Sequence, residues 1–189
     1  DIGTKLCPIH LAAKRRDSHI MEILLWNGAD LNKSDKYGYT AVHIAAMQGN
    51  LEIIKMLAED GADLNKRDIL GQTALYYSVS GCHHGVTNYL YINAVDDLNV
   101  KANNGDTPAH YLRPLETNIS DSADASSSQA KRLVEEIEYL RELGADLTIQ
   151  NSSGETALDN LAQYLDEETI LGEKLISAIR LKRLMRFKN

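Results

Sequence analysis

Several features that mark special classes of protein are scarce or missing in this chain of 189 residues. Two cysteines, Cys7 and Cys82, are too few for a disulfide framework and suit a reducing compartment. No stretch approaches the roughly 18 consecutive apolar residues that a transmembrane helix requires. The sequence opens at Asp1 without the basic and apolar segments of a secretory signal. We therefore expect no membrane span and an intracellular location, in the cytoplasm, the nucleus or both.

Basic residues are also fewer than acidic ones. The 20 lysine and arginine residues are outnumbered by 27 aspartate and glutamate residues, which gives a formal net charge of −7. An acidic chain of this kind is not expected to bind nucleic acid. A basic tail is the exception, and it consists of Arg180, Lys182, Arg183, Arg186 and Lys188. This tail could contact a membrane surface or an acidic partner, but a solvated helix end is the favoured interpretation.

Motifs for catalysis and metal binding are missing as well. The sequence has no glycine-rich phosphate loop, no H-E-x-x-H zinc motif and no nucleophile elbow around a serine. Cys82, His83 and His84 are contiguous, whereas the ligands of structural zinc sites come in spaced pairs, so an irregular helix end is favoured there. We expect no enzymatic activity, no cofactor and no metal site.

The sequence contains a repeat with a period of about 33 residues. The motif Thr-Ala-Val-His-Ile-Ala-Ala at 40–46 returns in altered form at 7–13, 73–79, 107–112 and 156–162. A second motif, Gly-Ala-Asp-Leu-Asn at 28–32 and 61–65, returns at 95–99 and 144–148 in the same register. A chance match at this level is implausible.

Each copy has the pattern of two short helices. In the second copy, apolar residues recur through 51–59 with helical spacing rather than strand alternation. Gly61 follows this stretch, where a left-handed glycine ends a helix. Thr40 precedes the first helix, where a threonine caps it. Because one copy cannot bury its apolar face alone, neighbouring copies must stack.

The two motifs and their spacing resemble the ankyrin repeat. The resemblance implies an all-α fold, an ankyrin-repeat solenoid of stacked helix pairs with protruding β-hairpin-like turns. It also implies that His10, His43 and His110 are structural and tie a helix to the neighbouring turn. Helices packed about 8–10 Å apart could not bring these histidines onto one metal ion. The predicted repeats are 1–34, 35–67, 68–101, 102–150 and 151–189.

Departures from the repeat are informative. The first copy lacks a turn like that at 35–38, so it is either an N-terminal cap or a truncated repeat. The third copy gains one residue near Gly81, and we expect it to be the least regular and the most mobile. The fourth carries an insertion at about 114–130 whose composition predicts an unstructured loop. The last ends in an apolar stripe at 167–187 that we expect to cap the stack.

The resemblance further implies a non-catalytic protein–protein interaction module that acts as an adaptor, an inhibitor or a scaffold. In the family, partners contact the turn tips and the exposed side of the first helix, which form a concave strip. Ile69 and Leu70 at a turn tip, beside Tyr37 and Tyr39, favour a partner with a basic-hydrophobic segment. The alternative is that Ile69 and Leu70 pack against the neighbouring turn. The residues predicted to contact a partner are those at the turn tips and on the exposed side of the first helices: Lys36, Tyr37, Tyr39, Met47, Gln48, Ile69, Leu70, Gln72, Ser80, Asn103, Asn104 and Asp106.

Other interpretations stay open from the sequence. The chain is alternatively a regulatory or targeting domain of a longer enzyme or channel, or the host-binding domain of a pathogen effector. Asn32 and Asn65 lie in a Leu-x5-Asp-aliphatic-Asn pattern, which in ankyrin proteins occurs in substrates of an asparaginyl hydroxylase. A turn-stabilising role for both asparagines is favoured. Trp26 is expected to pack locally at the end of a second helix, and the protein is expected to be monomeric.

Overall fold

A computed structural model describes residues 6–93, 97–113 and 123–162 of the chain. The start of the first copy, insertion residues 114–122, and the expected cap and basic tail lie outside the described residues. No helix in the described ranges is both long enough and apolar enough to cross a bilayer. These ranges contain eight α-helices and one 3₁₀ helix: α1 (Pro8–Arg15), α2 (Ser18–Trp26), α3 (Ala41–Met47), α4 (Leu51–Glu59), α5 (Ala74–Ser80), α6 (His84–Asn93), the 3₁₀ helix (Pro108–Tyr111), α7 (Ala123–Glu142) and α8 (Ala157–Ala162).

The helices form two rows. The first helices of the successive pairs, α1, α3 and α5, pack against one another, and the row continues through the 3₁₀ helix to α8. The second helices α2, α4 and α6 pack in a row beside them. Within the described part of the chain, extended pairing is limited to an isolated bridge between Gln150 and Thr156. The predicted all-α solenoid of stacked helix pairs is confirmed.

The packing follows from the sizes of the side chains in the two rows. Small residues in the first helices allow neighbouring backbones to approach, and eight alanines are buried in that row: Ala12, Ala13, Ala41, Ala45, Ala46, Ala74, Ala109 and Ala157. Larger side chains of the second helices fill the remaining space, as Ile53, Ile54 and Leu57 of α4 do with 0% exposure. The stack therefore has a continuous apolar core between the rows.

Helix α7 corrects the prediction for the insertion in the fourth copy. It begins at Ala123, so residues 123–130, which were expected to belong to an unstructured loop, are helical. Farther along the same helix, Leu133, Ile137 and Leu140 are buried at helical spacing. Once these side chains anchor the helix, extra turns cost little, because nucleation is the expensive step of helix formation.

Candidate partner-binding surface

Three buried histidines fasten the turns to the first helices. In each, Nδ1 accepts a hydrogen bond from the backbone N–H just before the helix, at 3.0 Å for His10, 3.2 Å for His43 and 3.1 Å for His110. Nε2 of the same rings bonds a carbonyl oxygen in the following turn, those of Lys33 (2.8 Å), Gln72 (3.3 Å) and Glu155 (3.1 Å) respectively. The predicted structural role of these histidines is confirmed.

The hydrogen bonds of His43 define its protonation state. Nδ1 accepts from the Thr40 backbone N–H, so it carries no proton, and Nε2 donates its proton to the Gln72 carbonyl. Burial lowers the pKa of His43 below its ordinary value of 6.5, which also favours the neutral ring. The neutral tautomer is therefore the one that holds the turn in place.

Acidification is expected to destabilise the fold through His43. Because the folded-state pKa is the lower one, the unfolded chain binds more protons between that value and 6.5. The stabilising contribution is therefore complete above about pH 6.5 and is lost as the pH falls through the folded-state pKa. Urea unfolding from pH 7 to about pH 5 should show a falling free energy of unfolding, with a shallower slope in His43→Gln. Equal slopes in the two proteins would contradict this assignment.

The tips of successive turns are joined by backbone hydrogen bonds. The Ile69 N–H donates to the Tyr37 carbonyl at 3.1 Å, and the Asn103 N–H donates to the Leu70 carbonyl at 2.9 Å. Ser152 continues the series by donating to the Asn104 carbonyl at 2.9 Å. The tips therefore form one continuous edge along the stack, and side chains on neighbouring tips are held at fixed spacing.

Carboxylates inside the turns stabilise the backbone conformation of each tip. Asp35 Oδ1 accepts from the backbone N–H groups of Tyr37 (2.8 Å) and Tyr39 (2.9 Å). Asp68 Oδ1 repeats this arrangement one copy later, accepting from Leu70 (2.8 Å) and Gln72 (2.9 Å). Such Asx turns organise a loop without help from a partner, so the tips are built before anything binds.

Gly38 offers a test of how closely the tips are packed. Its φ is +83°, and a Cβ there would lie 2.8 Å from the Asp68 Cα and 2.8 Å from the Ile69 backbone nitrogen. Gly61 has a similar φ of +88°, but a Cβ would meet nothing within 4 Å. We expect Gly61→Ala to cost about 1 kcal/mol for the left-handed backbone alone, and Gly38→Ala to cost at least about 2 kcal/mol because backbone must also move.

Chemical denaturation of both alanine variants measures this difference directly. The same loss of stability in Gly38→Ala and Gly61→Ala would show that the contact between the second and third tips does not constrain the chain.

The tip residues predicted to contact a partner are open to solvent in the structure. Ile69 is 60% exposed, Leu70 52% and Tyr37 44%, so Ile69 and Leu70 are not covered by the neighbouring turn. Lys36 is also exposed, and its Nζ lies 4.8 Å from the centre of the Tyr37 ring. Asn103 and Asn104 form the exposed tip of the next copy.

Other predicted contact residues are partly or fully enclosed. Met47, Gln48 and Ser80 are half-buried near the ends of α3 and α5. Gln72 and Asp106 are only 3% and 8% exposed, so little of either side chain is open to a partner. Both side chains are used inside the protein: Gln72 donates from Nε2 to the Tyr111 hydroxyl, and Asp106 accepts from Asn104 Nδ2 at 2.6 Å and from Asn151 Nδ2 at 2.9 Å.

A cluster of tyrosines lies beside the exposed tips. The ring of Tyr39 is 5.9 Å from that of Tyr37 and 5.4 Å from that of Tyr77, the latter in an edge-to-face arrangement. The Tyr77 hydroxyl donates to Asp68 Oδ2 and also lies 3.3 Å from the Tyr39 hydroxyl. Burial, together with these hydrogen bonds, raises the pKa of Tyr77, so its phenol is neutral at physiological pH.

We call the combined feature the tyrosine surface. It consists of two apolar tip residues and four half-buried or exposed tyrosines on one side of the stack: Tyr37, Tyr39, Ile69, Leu70, Tyr77 and Tyr111. Aromatic side chains contribute large contact areas at protein interfaces and lose little conformational entropy on binding. Such a surface suits the recognition of another protein.

The comparison with protein families agrees with the geometry. Residues 1–68 match the family model described as ankyrin repeats (3 copies). Residues 1–68 carry ankyrin repeats. A comparison with curated proteins finds no significant match. Ankyrin repeats are typically non-catalytic and generally serve as protein–protein interaction modules.

Sequence reasoning missed Tyr77 and Tyr111. Both stand four residues after the threonine that begins the first repeated motif, at 73 and 107, and the same position holds Leu11 and Ile44 in the first two copies. Ile44 is buried, whereas Tyr77 and Tyr111 are half-buried beside the tips. The change from an aliphatic residue to tyrosine at this position was the sequence feature that could have identified Tyr77 and Tyr111 as candidate binding residues.

The Cys82-His83-His84 segment has a structural role in the stack of helices. His83 Nε2 bonds the Met47 carbonyl at 3.2 Å, and His84 Nε2 lies 2.6 Å from Glu136 Oε1 of α7. Burial raises the pKa of Cys82 to about 11, so its thiol is protonated at neutral pH and is a poor nucleophile. Among the described residues, no three His, Cys, Asp or Glu side chains are arranged to hold a metal ion.

Two further sequence expectations concern the outer parts of the repeats. Trp26 is 91% exposed, so the expectation that it packs locally is wrong. Asn32 Oδ1 accepts a hydrogen bond from the Asp63 backbone N–H at 2.9 Å and so links two neighbouring turns. Asn65 is exposed beside Tyr89. The hydroxylation of Asn32 and Asn65 stays a prediction.

Proposed function

We propose that this chain binds a protein partner through the tyrosine surface and acts as an adaptor, an inhibitor or a scaffold. The observation that carries the proposal is the exposure of Ile69 and Leu70 at a turn tip whose backbone is bonded to that of the exposed Tyr37. The fold leaves about half of each of these apolar side chains in water, and that half gains free energy when a partner covers it. An intracellular location suits two cysteines that form no disulfide.

The charge near the surface indicates the kind of partner. The carboxylates of Asp35 and Asp68 lie within the tips, and the chain carries a net charge of −7. A segment that places an apolar side chain against Ile69 and Leu70, with a basic residue beside it, would match both the shape and the charge. The turn hydrogen bonds hold the site in one conformation, so little ordering is required on binding.

A pull-down with three baits from lysate of the native cell tests the proposal. The first bait is the unchanged chain, and the second carries Tyr37→Ser, Ile69→Ser and Leu70→Ser. The third carries Ile20→Ser, Ile23→Ser and Ile92→Ser, which removes three exposed apolar side chains (44%, 49% and 69%) on the second helices, away from the tips. Circular dichroism confirms that all three baits are folded.

The proposal expects one protein to be retained by the first and third baits and to be lost from the second. If all three baits retain the same protein, partners bind elsewhere on the chain. If the third bait loses the protein and the second keeps it, the binding site lies on the other exposed apolar residues.

A further inference from the structure

Trp26 occupies an unexpected position in the repeat. It lies two residues before Gly28, at the end of α2, and the equivalent positions before Gly61 and Gly144 hold Glu59 and Glu142. Both glutamates are exposed, as is usual for a charged residue at the end of a surface helix. The stack therefore does not require an apolar residue at this position, and packing does not explain a tryptophan that is 91% exposed.

The Trp26 indole forms part of a groove between the ends of α2 and α4. We call it the Trp26 groove. Its floor is apolar, because Leu25 and Met56 are half-buried there. Its volume is about 460 Å³, which is ample for one long side chain. The groove is lined by Glu22, Leu25, Trp26, Met56, Glu59 and Asp60.

The charge of the groove has one sign. Three of its six lining residues are acidic, and none is basic. Glu22 lies 3.9 Å from His19, but no ion pair to Glu59 or Asp60 is found in the described parts of the chain. Lys55, a basic residue on the same helix as Glu59, instead has its Nζ 6.0 Å from the ring centre of Tyr89.

We propose that the Trp26 groove is a second docking surface and binds a basic segment of a protein partner. An arginine or lysine side chain would lie against the indole face, where the ring attracts a cation, while its charged end meets the carboxylates. Tryptophan is also among the residues that contribute most to binding at interfaces. The groove lies on the second-helix row, whereas the tyrosine surface is formed by the turns and first helices, so the two surfaces are separate.

Trp26 reports directly on this binding, because it is the single tryptophan of the chain. The probe is a short synthetic peptide with arginine on both sides of a leucine, titrated into the purified protein while tryptophan emission is recorded. A matched peptide with citrulline in place of arginine keeps the shape and removes the charge. We expect a saturable change in emission with the arginine peptide, a much smaller one with the citrulline peptide, and weaker binding when NaCl rises from about 0.05 to about 0.5 M.

Charge variants that keep the tryptophan locate the binding. A groove variant carries Glu22→Gln, Glu59→Gln and Asp60→Asn, and its affinity for the arginine peptide should fall roughly tenfold. A control variant carries Glu135→Gln, Glu138→Gln and Glu142→Gln, which removes the same charge from exposed positions on α7. The control should bind as the unchanged chain does.

Three outcomes would overturn the proposal. These are no saturable change in emission, equal binding of the arginine and citrulline peptides, and equal weakening in the groove and control variants. The last would show that the arginine peptide responds to the overall acidity of the chain rather than to the groove. Circular dichroism of both variants shows that they are folded, so that loss of binding in the groove variant is not loss of structure.

Discussion

The double substitution Ile69→Ser and Leu70→Ser is expected to weaken partner binding roughly thirtyfold. These side chains are 60% and 52% exposed, so a partner that covers them removes about half of each apolar surface from water. Half of the transfer free energy of a large aliphatic side chain is about 1 kcal/mol, and two such losses give about 2 kcal/mol, or roughly thirtyfold in Kd. Titration calorimetry with the captured partner measures the change.

The same double variant should keep its stability. Serine retains the backbone bonds from Ile69 N–H to the Tyr37 carbonyl and from Asn103 N–H to the Leu70 carbonyl. Exposed side chains contribute little to folding, so the free energy of unfolding should change by less than about 0.5 kcal/mol. Ile92→Ser, on the outside of α6, is the matched control and should leave the affinity unchanged. If the double variant binds the partner normally, the tips are not part of the interface.

His43→Ala is expected to lower the free energy of unfolding by about 3 kcal/mol. The ring is 1% exposed and connects the start of α3 to the following turn through the Thr40 N–H and the Gln72 carbonyl. Its removal leaves both groups without this partner, at about 1 kcal/mol or more each, and opens a cavity beside the Tyr77 ring, whose centre is 5.9 Å away. Urea denaturation followed by circular dichroism gives the value.

His19→Ala is the control for this substitution. The His19 side chain is 83% exposed on α2, so the same change in residue type should cost less than about 0.5 kcal/mol. A small effect in His43→Ala would mean that the turn keeps its position without the histidine. In that case the rigidity of the tips would rest on the Asx turns and on the backbone bonds between tips.

Much of the fold could be predicted because it repeats. The threonine and histidine of the first motif recur at fixed spacing, and each pair forms the same bonds, as Thr40 with His43 and Thr107 with His110 do. The fifth copy lacks the histidine, yet Asp159 Oδ2 still accepts from the Thr156 N–H at 3.0 Å. Because the same hydrogen-bonding motif recurs several times in one chain, few alternative folds are compatible with the sequence.

The failures have physical causes in tertiary structure. Residues 123–130 are rich in serine and read as a loop, but they continue a helix whose buried face begins only at Leu133. Gln72 stands at a tip position, but its amide reaches inward to Tyr111, a residue 39 positions later. Trp26 was expected to pack locally at the end of a second helix, whereas its position in the repeat is that of exposed glutamates. The burial and the long-range contacts of these particular side chains could not be obtained from composition and periodicity.

The rigidity of the tips and their proposed role in binding are connected. The exposed apolar pair stands on a turn whose backbone is bonded to Asp68 Oδ1 and to both neighbouring tips. Tyr77, which also bonds Asp68, joins that turn to α5. A partner would therefore meet a preformed surface, and changes that loosen Asp68 should weaken binding even though its side chain is only 7% exposed.

Site-specific photo-cross-linking tests most directly whether partners contact the tyrosine surface. A photoreactive amino acid is placed at position 69 in one protein and at position 92 in another, where Ile69 and Ile92 are 60% and 69% exposed on different faces. Both proteins are irradiated in native cells. The account predicts a cross-linked protein from position 69 that is absent or much weaker from position 92. Equal cross-links from both positions, or a cross-link from position 92 alone, would contradict it.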